Sequence, residues 1–302
     1  MVETFRTEPL NMESVVKNIV NGIAKYVDDN HLKCCVLGLS GGIDSTVTAA
    51  LCKMAKVPLI GVSLPCHTNE ADEKSAAKLV GEEFCDSFKE VNLEYLFTAT
   101  KNFCDHSVSE QESTPISQGN IKARLRMIAL YDIASKSGGI VMDTDNLTEN
   151  FLGFFTLKGD ECDFNPIGGL WKHEVYDLAR YLKKNVFTES KALDASIALI
   201  PTDGNGVKAG GDLAQIAPNK TYDDVDDILY HWVGLDSRIK KDVLEKDFEY
   251  GIFNDLCEKH GKETVKGVIM RSIKSEFKRK HLPLVIDIYR GYICEKNGNI
   301  MI

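Results

Sequence analysis

Apolar and polar positions fall into blocks along the chain, and the period of the pattern switches repeatedly between helix and strand. Val15, Val16, Ile19, Ile23, Tyr26 and Val27 recur at helical spacing and predict a helix over Met12–Val27. The apolar run Cys34–Leu39 predicts a buried strand, and a helix is expected over Ser45–Ala55. Pro58–Leu64 predicts a second strand, bounded by Pro65, and Ala76, Leu79, Val80 and Phe84 predict a helix over Asn69–Phe84. A short strand is expected near Phe88–Val91 and a helix over Leu93–Phe103. Val108–Gly119 is polar and contains Pro115, which predicts a loop. Ala123, Met127, Leu130, Tyr131 and Ala134 place one apolar face on a helix over Asn120–Ser135, followed by a strand at Gly139–Met142 and a helix over Lys172–Lys184.

Alternating strands and helices predict an α/β fold, a doubly wound, mainly parallel sheet with flanking helices. Ligands of such sheets sit at the carboxyl ends of the strands, where Ser40 and Asp143–Asp145 should lie. After Pro201 the texture changes. Thr202–Asp212 is rich in glycine and has no period, which suits a linker or a lid over an active site equally well. Tyr222–Thr264 predicts several charged helices, a helical C-terminal part, and Ile286–Ile302 is given no element. No internal repeat is found.

The 302 residues, 43% of them hydrophobic, suit one large domain or a domain with an appendage. A formal net charge of −9 argues against a general grip on nucleic acid, while leaving room for a local basic pocket. The nine cysteines contain no C-x-x-C pair, so free thiols in a reducing cytoplasm are expected. Met1–Met12 lacks an apolar core of signal-peptide length, and no apolar run is long enough to span a bilayer, so no membrane partner is expected.

Chemistry concentrates in Leu37–Thr46, where an apolar strand ends in Ser40-Gly41-Gly42 and passes into a helix. Such a turn aims backbone N–H groups and a helix N-terminus at one point, which suits a phosphate. The turn carries a carboxylate, Asp44, and no lysine, so it is not a Walker loop; an acid beside a phosphate nest makes sense with a divalent cation between them. An ordinary capped turn is the simpler alternative. Ser-Gly-Gly-x-Asp-Ser after an apolar strand resembles the pyrophosphate loop of the ATP pyrophosphatases, which transfer AMP from ATP and release pyrophosphate. A second block runs from Asp143 to Glu149 and on through Gly153–Asp160. Glu149 is either a solvated helix residue or a carboxylate that shares a Mg2+ with Asp44.

Taken together, Leu39–Thr46, Gly119–Met127, Thr144–Glu149, Gly153–Thr156, Gly159-Asp160, Pro166–Lys172 and Ser275–Arg279 resemble the NAD synthetases, specifically the ammonia-dependent type. The likeness spans about residues 12–283 and implies one NAD synthetase domain over 1–302, of Rossmann-like ATP pyrophosphatase fold, with the tail 284–302 unassigned. Its Asn120–Arg124 and Gly153–Thr156 blocks are far more specific than the first motif.

The resemblance implies amidation of deamido-NAD by ammonia, with ATP as co-substrate, Mg2+ as cofactor and an acyl adenylate between the two steps. It implies that Asp44 and Glu149 hold the metal, and that Gly38, Leu39, Ser40, Gly41, Gly42, Ile43, Ser45 and Thr46 cradle ATP and its pyrophosphate. Thr144, Lys172 and Thr202 would also contact ATP, Lys172 at the phosphates. Asn120, Arg124, Phe154, Lys158, Asp160, Asp163 and Lys278 would face deamido-NAD. Only about 32 residues precede the first predicted strand, too few for an amidase, so the expected nitrogen donor is ammonia, free or delivered by a partner. A homodimer is implied as well.

The chain departs from the family pattern at Ser63, Glu70, Asp143, Leu157 and Phe277, which touches adenosine and substrate contacts more than the phosphate chemistry. The alternatives are another ATP pyrophosphatase, such as a tRNA thiolase or a GMP synthetase, or a nucleotide-binding regulator without catalysis.

Overall fold

The computed structural model describes residues 9–66, 71–108, 111–199, 213 and 216–279, and the pairs 293–294 and 300–301. Its centre is a parallel sheet of β1 (Cys35–Gly38), β2 (Leu59–Ser63), β3 (Ser87–Glu90) and β4 (Ile140–Met142) in the order β3-β2-β1-β4. Side chains alternate across it, as the strand period requires. Cys35, Leu37, Ile140 and Met142 enter one core, while Val36, Val62 and Val141 enter the other.

The first core is covered by α1 (Met12–Asp29), α2 (Ile43–Ala55), α3 (Ala71–Phe84), α7 (Lys172–Asn185) and α8 (Lys191–Ala198). The opposite face is covered by α4 (Glu94–Phe103) and α5 (Pro115–Ser137), through Phe97, Leu125, Leu130 and Ala134. Both faces are therefore buried, and the chain has the expected doubly wound α/β fold. A third core joins the sheet unit to helices Tyr222–Val233, Ser237–Glu245, Ile252–His260 and Lys262–Lys274. Leu152 and Trp171 supply its inner wall, and Val225, Leu229, Val265 and Ile269 its outer one.

Three expectations are corrected. The loop predicted over Val108–Gly119 is helical from Pro115 onward. Proline is tolerated in a first helical turn, where its missing N–H has no acceptor, and Thr114 caps the helix by accepting from Ser117 N–H at 3.1 Å. Helix α2 begins at Ile43, two residues earlier than the expected start at Ser45. Two helices went unpredicted, α8 and the six-residue α6 (Leu147–Leu152), which is too short to show a period. Residues 286–302 contribute only a two-stranded antiparallel pair, Ile293–Cys294 with Ile300–Met301, among those described. The described cysteine side chains are free thiols. Among the described residues no helix is long and apolar enough to cross a membrane.

Candidate active site

Strand register places the site. Leu37 pairs with Gly61 on one side and with Met142 on the other, so the segments after β1 and β4 leave the sheet side by side. The order β3-β2-β1-β4 also makes the gap between β1 and β4 the switch point, where ligands of such sheets bind.

On the β1 side the chain turns through Gly41, whose φ of 83° lies in the left-handed region that favours glycine. Gly42 N–H donates to Ser40 Oγ at 3.1 Å, and the Ser40 and Ser45 hydroxyls lie 3.1 Å apart. Thr46 N–H and Oγ1 both donate to Gly42 O, at 3.1 and 2.9 Å. Thr46 is thus committed to the helix, and the N–H groups of Ile43, Asp44 and Ser45 are those an α-helix leaves without an internal acceptor. Ser40, which precedes the turn, is exposed.

On the β4 side, Asn146 is fully buried and makes the first link between the strands. Its Nδ2 donates to Asp44 Oδ1 at 2.9 Å. Its Oδ1 accepts from Glu149 N–H at 3.1 Å while Glu149 Oε2 accepts from Asn146 N–H at 3.2 Å, a capping box that starts α6. Lys172, the first residue of α7, makes the second link. Its Nζ lies 2.5 Å from Asp44 Oδ2 and 3.0 Å from Glu149 Oε1, and 5.5 Å from the centre of the Tyr222 ring. The Lys172 side chain is 5% exposed. Burial opposes its charge, but the carboxylates of Asp44 and Glu149 outweigh that and hold its pKa well above the ordinary lysine value.

The surroundings are rich in acid. Burial raises the pKa of Asp145 well above the usual carboxylate range, and Asp143, Glu149, Asp160 and Asp44 push it further. Burial likewise raises Glu149, against the pull of Lys172, and raises Asp143 and Asp160. Asp143 fastens the neighbouring loop: it accepts from Asp145 N–H at 2.7 Å, Cys162 N–H at 2.9 Å and Asn165 Nδ2 at 3.0 Å.

A second group lies between α5 and the Gly153–Asp160 turn. Thr156 Oγ1 donates to Asn120 Oδ1 at 2.9 Å, Thr156 N–H to Asp160 Oδ2 at 2.7 Å, and Arg124 to Leu157 O at 3.2 Å. Phe154 packs under the Arg271 guanidinium, 5.1 Å from its ring centre. Lys158 is exposed. Lys278 is turned onto the backbone, donating to Gly153 O at 2.7 Å and to Phe155 O. Gly153 has φ of 67° and lies against Ser275, so a side chain there is excluded twice over. Asp163 stands apart on the surface, where it accepts from Tyr131 OH at 2.7 Å and from Val141 N–H at 3.3 Å. Thr144 is half-buried beside Asp143. Thr202, with the rest of Thr202–Asp212, and Glu70 lie outside the described residues.

Sequence reasoning missed Asn146, Thr148, Asp226, Arg271 and Arg279. Asn146 carried a signal, being an N-cap three residues before Glu149. Asp226 carried none, because its partners lie 78 and 53 positions away.

Residues 15–282 match the NAD synthase family. A relative from Fusobacterium nucleatum, an NH(3)-dependent NAD(+) synthetase, is 30% identical over 287 residues, covering 91% of this chain and 97% of that protein. The solved NH3-dependent NAD synthetase of Campylobacter jejuni superposes with a TM-score of 0.67 at 25% identity, covering 92% of this chain and 100% of that one. An NMN synthetase from Francisella tularensis shares the fold, with a TM-score of 0.71 at 23% identity over 93% of this chain and 100% of that one. The chain belongs to the NAD synthase family, enzymes of the ligase class that make NAD.

Proposed function

We propose that this chain amidates deamido-NAD with ammonia at the expense of ATP, through an acyl adenylate. The observation that carries the reading is Lys172 Nζ, held 2.5 Å from Asp44 and 3.0 Å from Glu149 beside the N-terminus of α2.

A nicotinate carboxylate is a poor acylating agent because oxide is a poor leaving group. Its attack on the α-phosphorus of ATP forms a C–O–P bond and expels pyrophosphate. Ammonia then adds to the carbonyl carbon, the C–O bond to AMP breaks, a proton is released, and the amide of NAD remains. The first step gathers anions, so the protein must supply positive charge already stripped of water. The buried Lys172 ammonium, the N–H groups of Ile43–Ser45 and the Ser40 hydroxyl would receive the leaving pyrophosphate. Thr46 acts at one remove, by fixing Gly42.

The donor set suits Mg2+. Among the described residues no cluster of three or more acidic, His or Cys side chains is arranged to hold a metal. Asp44 and Glu149 offer hard oxygens from two sides, and Mg2+ is commonly held by one or two carboxylates, with phosphate oxygens and water completing its shell. Bound there, it would neutralise phosphate charge.

Deamido-NAD would lie along α5 and the Gly153–Asp160 turn, its anionic oxygens toward the exposed Arg124, which spends one of a guanidinium's five donors on Leu157 O. Phe154 offers a ring face. Lys278 acts by holding the Gly153–Phe155 backbone. Tyr95, Leu96 and Phe103 of α4 and Ile116 and Ile128 of α5 form an exposed apolar set, with Tyr95 87% and Ile116 79% exposed. A second copy docked there would cover this set beside Asn120 and Arg124, which supports the homodimer.

The test is exchange of radiolabelled pyrophosphate into ATP, with deamido-NAD or its mononucleotide half as the acid. Exchange that needs Mg2+ and deamido-NAD, with NAD formed only once ammonium is added, is expected. NAD formation without any exchange would remove the acyl adenylate; exchange with the mononucleotide alone would change the substrate.

A further inference from the structure

The residues that carry the proposed chemistry, Glu149 and Lys172, each have a sequence neighbour tied to one buried carboxylate. We propose that Asp226 is a positioning residue for the ligase reaction, which sets Glu149 and Lys172 in register through Thr148 and His173. The inference rests on the reading of Glu149 and Lys172 given above.

Asp226 lies on helix Tyr222–Val233, in the C-terminal layer, and its side chain is 0% exposed. Oδ1 accepts from the Thr148 hydroxyl. Oδ2 accepts from His173 N–H at 2.9 Å and faces His173 Nδ1 at 2.9 Å. Having donated its single proton to Asp226, Thr148 Oγ1 accepts from Lys172 N–H at 2.9 Å. One carboxylate thus ties, directly or through Thr148, the first two N–H groups of α7 and the residue before Glu149. A carboxylate at a helix N-terminus is also favoured by the helix dipole.

Packing alone does not need this arrangement. The junction is already closed by Leu152, Trp171, Val225 and Leu229, an apolar contact without direction. A buried carboxylate is costly unless its oxygens are bonded, and here the bonds end on the backbone of α7 and on the α6 residue beside Glu149. Hydrogen bonds fix angle and distance where apolar contact allows sliding. The gap between Asp44 and Glu149 that holds Lys172 is only as well defined as the relation between α6 and α7. A misplacement of about 1 Å at such a point costs on the order of 100-fold in rate.

The experiment compares Thr148→Val, Thr148→Ser and Asp226→Asn with wild type, with Lys172→Met and Glu149→Gln as parallel controls. Turnover, KM for each substrate and Tm are measured well below the lowest Tm. Thr148→Val keeps the shape and removes both the donor to Asp226 and the acceptor for Lys172. Its kcat should fall about 10- to 100-fold, with each KM within about twofold of wild type. Thr148→Ser, which restores the hydroxyl, should recover most of kcat, and Asp226→Asn should resemble Thr148→Val.

A purely structural role would lower Tm and leave kcat of the folded protein unchanged; that result overturns the inference. If Lys172→Met and Glu149→Gln are inactive while Thr148→Val and Asp226→Asn turn over like wild type, the inference alone falls. If the two controls are also active, the reading of the site falls with it. Should Asp226→Asn fail to fold, the Val–Ser pair at position 148 decides.

Discussion

Replacing Arg279 with methionine should loosen the helix that carries Glu149 without touching Glu149 itself. Helix α6 is six residues long, and its carbonyl end is closed by cations from the C-terminal layer. Arg279 donates to Phe151 O at 2.8 Å, Ser272 O at 2.8 Å and Ser275 Oγ at 3.1 Å, with its guanidinium 5.2 Å from the Phe151 ring centre. Arg271 donates to Leu152 O at 2.7 Å, and Lys278 holds Gly153 O and Phe155 O. Positive charge at a helix C-terminus also complements its dipole. A hydrogen bond to a charged group contributes about 1.5–3 kcal/mol, and the half-buried setting of Arg279 puts its two carbonyl bonds near the low end. The cation–π contact adds about 0.5–1 kcal/mol. Methionine keeps most of the packing of the stem, so the net loss should be about 3.5–4 kcal/mol. At about 2–4 °C per kcal/mol for a large domain, Tm should fall by about 7–16 °C. Arg279→Lys keeps the charge but cannot span two carbonyls, and should recover about half. Thermal melts by circular dichroism, with pyrophosphate exchange on the same samples, make the comparison. A Tm for Arg279→Met within about 1 °C of wild type would refute the reasoning, and full recovery by lysine would show that charge alone matters.

Asp44→Asn and Glu149→Gln should each cut turnover by about 100-fold or more while the far-ultraviolet spectrum is kept; near-normal rates in both at ordinary Mg2+ would sink the metal assignment. Ile116→Asp should shift a dimer toward monomer in light scattering and weaken deamido-NAD binding, and an unchanged mass would exclude the α4–α5 face as the interface. His173 should make stability depend on pH. Its pKa is raised, chiefly by the hydrogen bond to Asp226 against burial, so its contribution is complete below the unfolded value of about 6.5 and is lost as pH rises through the higher folded value. The Tm gap between wild type and His173→Gln should therefore narrow between about pH 6 and about pH 8, and a gap independent of pH would refute the pairing.

The sheet was legible because buried strands announce themselves as short apolar runs bounded by turns: Cys34–Leu39, Pro58–Leu64 and Gly139–Met142 each contain an observed strand. The loop after β1 was legible because its glycines and hydroxyls serve a local geometry that a ten-residue window contains. Helix α6 was not, since six residues give no amphipathic period and its stability comes from a capping box at one end and distant cations at the other. The first turn of α5 was hidden by reading Pro115 as a breaker, although proline at that position begins a helix readily. The same limit explains the site. Asp44, Glu149 and Lys172 stood out by their place in motifs, whereas Asn146 and Asp226 matter through partners that only the fold brings near.

Lys172 shows why the site needs both halves of the chain. An ammonium group buried to 5% exposure is stable only with its charge answered, and the two carboxylates that answer it come from α2 and α6, on different strands' ends. Asn146 joins those two elements directly, while Thr148 and His173 join α6 and α7 to Asp226 in the C-terminal layer. The carboxylates cannot relax away from the lysine without breaking those bonds, so the three charges stand together before nucleotide arrives. Phosphates entering at the N-terminus of α2 would compete with Asp44 and Glu149 for Lys172, and a divalent cation would compete with Lys172 for the carboxylates. The two exchanges favour each other: each relieves the repulsion that the other alone would leave. Nucleotide and metal should therefore bind together more tightly than the product of their separate affinities, a coupling that titration of ATP analogue with and without Mg2+ measures directly. Equal affinity in the two titrations would mean that Lys172 stays with the carboxylates throughout and serves only to hold the fold.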